Sequence, residues 1–177
     1  LACAAALSLL QQIGDFAGVC QIVRCMKRMT VGAIGARTTA FKTVRVDELA
    51  LQRYGITTDT FDLSELFLRV GDITEGCAKF QDKRNRLLNY TNWGNTPEEK
   101  ISMLTKISVA LDDMIADYHL DCLSLRCWEE IEKGLRVAPC VLLSELNDRG
   151  ITAACELDTG NAIAMYGLAA ASGKPAT

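Results

Sequence analysis

The chain has 177 residues, of which 49% are hydrophobic and 23% charged, and a formal net charge of -3. That suits one globular domain with a substantial core, or part of a larger protein. The mild acidity argues against a nucleic-acid binder, which shows a basic domain or stripe, and no apolar run reaches the ~18 residues that suggest a membrane span.

Residues 1–29 read as a helix. Leu7, Leu10, Ile13, Phe16, Cys20, Ile22, Val23 and Met26 recur at helical spacing, a break at Gly14 or Gly18 stays open, and Lys27 and Arg28 fall in the last turn. Its apolar start has neither a basic leader nor an initiator Met, so it reads as a helix met by a chain boundary rather than a signal peptide. Residues 30–35 read as a short buried strand, and 36–41 as a polar loop or helix start. Residues 47–54 look helical, stopped by Gly55. A strand follows at 57–61, then a helix at 64–70 with Asp62 or Ser64 as N-cap.

Residues 74–91 are expected to be helical and 92–95 to turn. Thr96-Pro97-Glu98-Glu99 then reads as a helix start, with a capping Thr, Pro at the first position and acids in the first turn. That helix should run to about His119. A strand at 122–126, helices at 128–134 and 139–149, a strand at 151–155 and a helix at 161–171 complete the chain, with the closing GKPAT as a turn leading onward. Four strands separated by helices predict an α/β fold with a mainly parallel sheet flanked by helices and right-handed crossovers.

Cys3, Cys20, Cys25, Cys77, Cys122, Cys127, Cys140 and Cys155 show no CxxC spacing and sit mostly in apolar runs. They read as reduced thiols of a cytoplasmic protein rather than a disulfide framework. With a lone His119 they make no structural-zinc pattern. Asp112, Asp113, Asp117, His119 and Asp121 suggest a metal at first sight, but a solvated helix end accounts for them better. Gly32-Ala33-Ile34-Gly35-Ala36-Arg37 lacks the third Gly of a dinucleotide fingerprint, so its small residues point instead to close approach of a ligand, loop or subunit. Residues 144–149 read as an exposed helix end, and no Ser sits in a GxSxG elbow.

The most informative segment is ITAACELDTGNAIAMYGLAAASG, residues 151–173. A short apolar strand ends in two carboxylates, Glu156 and Asp158, before Gly160-Asn161 opens an Ala-rich helix. The carboxyl end of a strand is where α/β folds bind ligands. An acid there can hold a hard cation, move a proton, or only cap the next helix. Likewise, Thr38 and Thr39 can offer hydroxyls to a polyol and Arg37 can anchor a ligand, or the threonines can cap a helix beside a surface Arg.

Two blocks carry a resemblance to the L-fucose/L-arabinose isomerase group, closest to its L-fucose isomerase-like branch. One is VGAIGARTTAF with KTVRVDE, residues 31–48. The other runs from Cys127-Trp128 through Ser144-Glu145-Leu146 and Gly150-Ile151 to ACELD and GNAIAM, ending at Met165. The match is loose over residues 76–121. The resemblance implies a Rossmann-like middle domain of a metal-dependent sugar isomerase, using manganese or another divalent ion. It implies Glu156 as metal ligand and catalytic acid/base, supported by Asp158 and Asn161, and substrate contacts from Arg37, Thr38 and Thr39. Further ligands, an Asp and a His, are expected downstream. Expected partners are a monosaccharide and further copies of the chain, with no nucleic acid or membrane. The implied organisation is a helical lead-in (1–29), an α/β middle domain (30–150) and the start of the catalytic region (151–177). A non-catalytic sugar-binding or regulatory α/β module, or a structural oligomerisation domain, is the alternative.

Overall fold

The computed structural model describes residues 2–176, and the side chains of residues 2–5, including Cys3, lie outside the description. The elements are α1 (Ala2–Met26), β1 (Met29–Ile34), α2 (Glu48–Arg53), β2 (Ile56–Phe61), α3 (Leu63–Asp72), α4 (Ala78–Tyr90), α5 (Glu98–Asp117), β3 (Cys122–Leu125), α6 (Glu130–Gly134), α7 (Cys140–Asp148), β4 (Thr152–Cys155) and α8 (Thr159–Ser172). The strands form one four-stranded sheet in the order β2-β1-β3-β4. Every pairing is parallel, with Ile34 opposite both Phe61 and Leu125, and Leu125 opposite Cys155. The expected α/β fold is therefore present. β4 belongs to the same sheet as the other three strands.

Helices cover both faces, and strand alternation assigns the side chains. Leu123, Leu125 and Ala153 join a large apolar cluster with residues of α3, α4, α5, α6 and α7. Met29, Val31, Cys122 and Ala154 face Ala162, Ile163 and Met165 of α8. α1 runs unbroken through Gly14 and Gly18 and ends at Met26, so Lys27 and Arg28 lie beyond its last turn. It packs on α8 through small residues: the Cβ that Gly18 lacks would lie 3.6 Å from Ala171 Cβ. Leu7, Leu10, Ile13 and Phe16 remain exposed. Against the expectation that no apolar run reaches span length, residues 6–26 are long and apolar enough to cross a membrane by length and composition, at a mean hydropathy of 1.2, because the small and apolar residues of α1 run on with few charges.

Local chemistry sets the helix ends, as expected at Asp62 and Gly55 and differently at the starts of α4 and α5. α2 is capped by Asp47, which accepts from Ala50 N at 2.9 Å, and α3 by Asp62, which accepts from Ser64 N at 2.8 Å. α4 starts only at Ala78, capped by the Cys77 sulfur. Pro97, not Thr96, occupies the α5 cap position, and no side chain caps that end. Gly55 has φ 88°, and a Cβ there would lie 2.2 Å from the Lys27 carbonyl oxygen, so this stop admits only glycine.

The 144–149 segment is not an exposed helix end. Glu145 is 1% exposed, and the Asn147 side chain bonds both the backbone N and O of Ala153, at 3.1 and 2.9 Å, latching α7 to β4. Glu145 pairs with Arg149 at 2.9 Å and faces Lys83 of α4 at 3.9 Å. Asp112 of α5 pairs with Lys83 and with Arg149. The other acids of the apparent cluster are separately engaged: Asp113 with Lys79, Asp117 with Arg69, and Asp121 with the Thr30 backbone N. They are structural acids on three different partners and form no shared ligand set.

Removing a member of a buried ionic network leaves its partners uncompensated. Glu145→Ala is expected to lower unfolding free energy by about 3–5 kcal/mol in urea denaturation. A loss below about 1 kcal/mol, the range of surface pairs, would show that Asp112 alone neutralises Lys83 and Arg149.

Candidate active site

The chain steps from β1 to β2 on one side, then places β3 on the other side of β1. Such a reversal makes the carboxyl ends of β1 and β3 the switch point of the sheet, the edge where α/β folds bind ligands. Three segments meet there: 35–38 after β1, 126–128 after β3, and 155–158 after β4.

Gly35 makes the meeting possible. It has φ 102°, and a Cβ there would lie 2.7 Å from Arg126 Cβ. The expectation that a small residue here permits close approach is met by the β3 exit loop. The two loops are also joined by Phe41 and Trp128, packed edge to face with centroids 5.3 Å apart. After β4 the backbone turns sharply, with Glu156 at φ 52° and Leu157 at φ 59°. Left-handed backbone costs a non-glycine residue about 1–2 kcal/mol. Burial of Leu157 and its N–H bond to Leu125 O at 3.4 Å help offset that cost.

This turn delivers the Glu156 carboxylate to the β3 exit. Oε1 accepts from the Trp128 backbone N and from Cys127 Sγ, each at 2.7 Å. Oε2 accepts only a longer bond, from Thr38 Oγ1 at 3.4 Å. Cys155 Sγ lies 3.1 Å from Cys127 Sγ. That contact, then burial, then Glu156 push the Cys127 thiol well up, while the hydrogen bond from Cys127 draws Cys155 down. The seven described cysteines are all free.

Thr38 is buried and beside Glu156, and it caps no helix, since Asp47 caps α2. Thr39 is exposed in the adjoining turn. Arg37 holds the loop: its Nη1 donates to Thr38 O at 3.2 Å and Phe41 O at 3.1 Å. Asp158 is the cap of α8, accepting from the Asn161 backbone N at 2.9 Å, and neither side chain is hydrogen-bonded to Glu156. Cys127, Cys155 and the Trp128 N–H escaped the sequence reading, because nothing in their spacing reveals that two strand exits converge. Beside this cluster lies a cleft of about 430 Å³ lined by Gly35, Arg37, Arg45, Glu48, Leu157 and Thr159 among others. Its size is that of a small-molecule site. Arg45, exposed on its wall, makes no ion pair among the described residues.

No known family model matches the chain. It is 25% identical over 159 residues to the sulfoquinovose isomerase of Alkalicoccus urumqiensis, covering 88% of this chain and 35% of that protein. It is 26% identical over 161 residues to that of Clostridium sp. (strain MSTE9), covering 90% and 36%. The Priestia megaterium sulfoquinovose isomerase is 25% identical over 164 residues, covering 89% and 34%. Most of this chain is similar to sugar isomerases. The agreement with the resemblance is at that level and does not extend to L-fucose. The chain spans about a third of the length of the curated relatives it matches.

Gly35→Ala adds a Cβ where backbone and neighbour both resist it. The expected loss is about 1–3 kcal/mol of stability in a urea titration, with faster amide exchange at 126–128. An unchanged midpoint would mean the two exit loops separate freely.

Proposed function

We propose that the chain is the part of an aldose–ketose isomerase that bears its strand-end carboxylate, acting on sulfoquinovose through an enediol. The observation that carries this reading is the placement of Glu156. Its carboxylate is anchored by one oxygen at the switch-point edge of a parallel sheet, in a chain similar to sulfoquinovose isomerases over most of its length. Oε1 already receives two short bonds, so Oε2 is the oxygen free to take a proton from one sugar carbon and return it to the next. Thr38 steadies that oxygen. Thr39 and Arg37 are proposed as sugar contacts from the same loop, and Arg45 as the cation that meets the sulfonate.

A divalent metal, manganese in this proposal, would take Glu156 as its ligand in this chain. One carboxylate beside a Thr hydroxyl suits part of the oxygen shell of a hard ion. When bound, the ion would stabilise negative charge on the sugar oxygens as a Lewis acid. Asp158 is committed to α8 and is not proposed as a ligand. The seven free thiols support a cytoplasmic setting, and the exposed apolar side of α1 supports assembly with further copies.

In the full-length protein, Glu156→Gln should cut turnover by about 10²–10⁴-fold, as loss of a positioned acid/base does, with sugar binding largely kept. Normal turnover would remove Glu156 from the chemistry and favour a binding module. Arg45→Ala should raise KM for sulfoquinovose while leaving binding of the sugar without its sulfonate unchanged. Equal effects on both ligands would show that Arg45 does not read the anionic group.

A further inference from the structure

The exits of β3 and β4 hold a donor set that proton transfer does not require. Cys127 Sγ, Cys155 Sγ and a Glu156 carboxylate oxygen all lie within 4.8 Å of one another. Oε1 is 2.7 Å from Cys127 Sγ and 3.6 Å from Cys155 Sγ, and the sulfurs are 3.1 Å apart. We propose that Cys127, Cys155 and Glu156 bind a thiophilic divalent cation of the zinc and cadmium class. This site does not rest on the isomerase reading.

Two sulfurs and a carboxylate are a borderline-soft set, unlike the oxygen shell a manganese ion takes. Three protein ligands leave a fourth position for water or another small ligand. Zinc–sulfur bonds of ~2.3 Å and zinc–oxygen bonds of ~2.0–2.2 Å place tetrahedral donors roughly 3.5–3.8 Å apart. The present separations therefore need to open by less than about 1 Å, within reach of side-chain rotation. The backbone is already placed, because the register sets Leu125 against Cys155 and brings Cys127 two residues past that pair. Cys127 is 3% exposed and Cys155 is open to solvent, so a cation enters over Cys155 and seats against the buried sulfur.

A disulfide is the obvious alternative for two neighbouring thiols. It would use the sulfurs alone and leave Glu156 Oε1, 2.7 Å from Cys127 Sγ, outside the bond, whereas a cation takes all three groups at once. Binding converts two S–H groups into two metal–sulfur bonds and releases two protons to solvent. Glu156 would then be held by the cation, and thiophilic ions would inhibit any chemistry that needs its free oxygen.

The test is titration of the full-length protein, reduced and stripped with chelator, with cadmium, read by the ultraviolet thiolate-to-cadmium charge-transfer band. The band should saturate at one cadmium per chain and persist in Cys20→Ser, a cysteine on α1. It should be lost in Cys127→Ser and in Cys155→Ser; the exposed Cys155 gives a variant whose fold is spared. In Glu156→Gln the affinity should fall at least the ~10-fold that loss of a supporting partner costs a metal site. Zinc should displace cadmium. A band that survives both serine variants overturns the proposal. So does conversion of the pair by oxidised glutathione to a disulfide in protein that shows no cadmium band.

Discussion

Parallel pairing of β1, β3 and β4 is the constraint on which the rest depends. Strands that run the same way deliver all their exits to one edge. The step back across β1 makes the β1 and β3 exits the switch point of the sheet, where Gly35 lets the two loops close on each other. Thr38, Cys127 and Glu156 are separated by up to 118 residues in the chain, yet the register leaves them within hydrogen-bonding reach. Covering helices make this arrangement stable, since a parallel sheet must be buried on both faces.

The turn after β4 converts that placement into a chemical group. Two consecutive left-handed residues, Glu156 and Leu157, bend the chain back under the β3 exit. The Leu157 side chain goes into the core while the Glu156 side chain meets the Trp128 N–H. Strain of this kind persists where surrounding contacts over-determine it, and such places are often functional. The carboxylate is fixed through Oε1 and left comparatively open at Oε2, an asymmetry that suits a group asked to move a proton. The thiols share the fixed oxygen, which is why a soft cation and a proton shuttle would compete for the same side chain.

Behind the site, α4, α5 and α7 are held by a network of charges rather than by apolar contact alone. Lys83, Asp112, Glu145 and Arg149 neutralise one another largely out of water. The Asn147 latch then carries the position of α7 to β4, the strand that ends in Glu156. Acids that look like a ligand cluster in linear sequence are divided among Lys79, Lys83, Arg69 and the β1 backbone.

The elements themselves were legible in the sequence. Alternation of short apolar runs with amphipathic stretches determines four strands and their helices, because burial against one face imposes a period on the residues. Asp62 as a cap and Gly55 as a stop follow from chemistry confined to a few neighbours. Glu156 was legible as a strand-end acid for the same reason. What the tertiary structure decided is everything that depends on two distant segments meeting. Asp158 became a helix cap and Arg37 a loop clamp because the nearest backbone groups claimed them. Glu145 was drawn inside because Lys83 arrives from α4 and joins Arg149, one turn further along at the end of α7, in neutralising it. Cys127 and Cys155 became neighbours because β3 and β4 pair in one register. Hydrophobic periodicity is a local property and survives in linear sequence; convergence of side chains at a sheet edge is set by strand order, which no local pattern encodes.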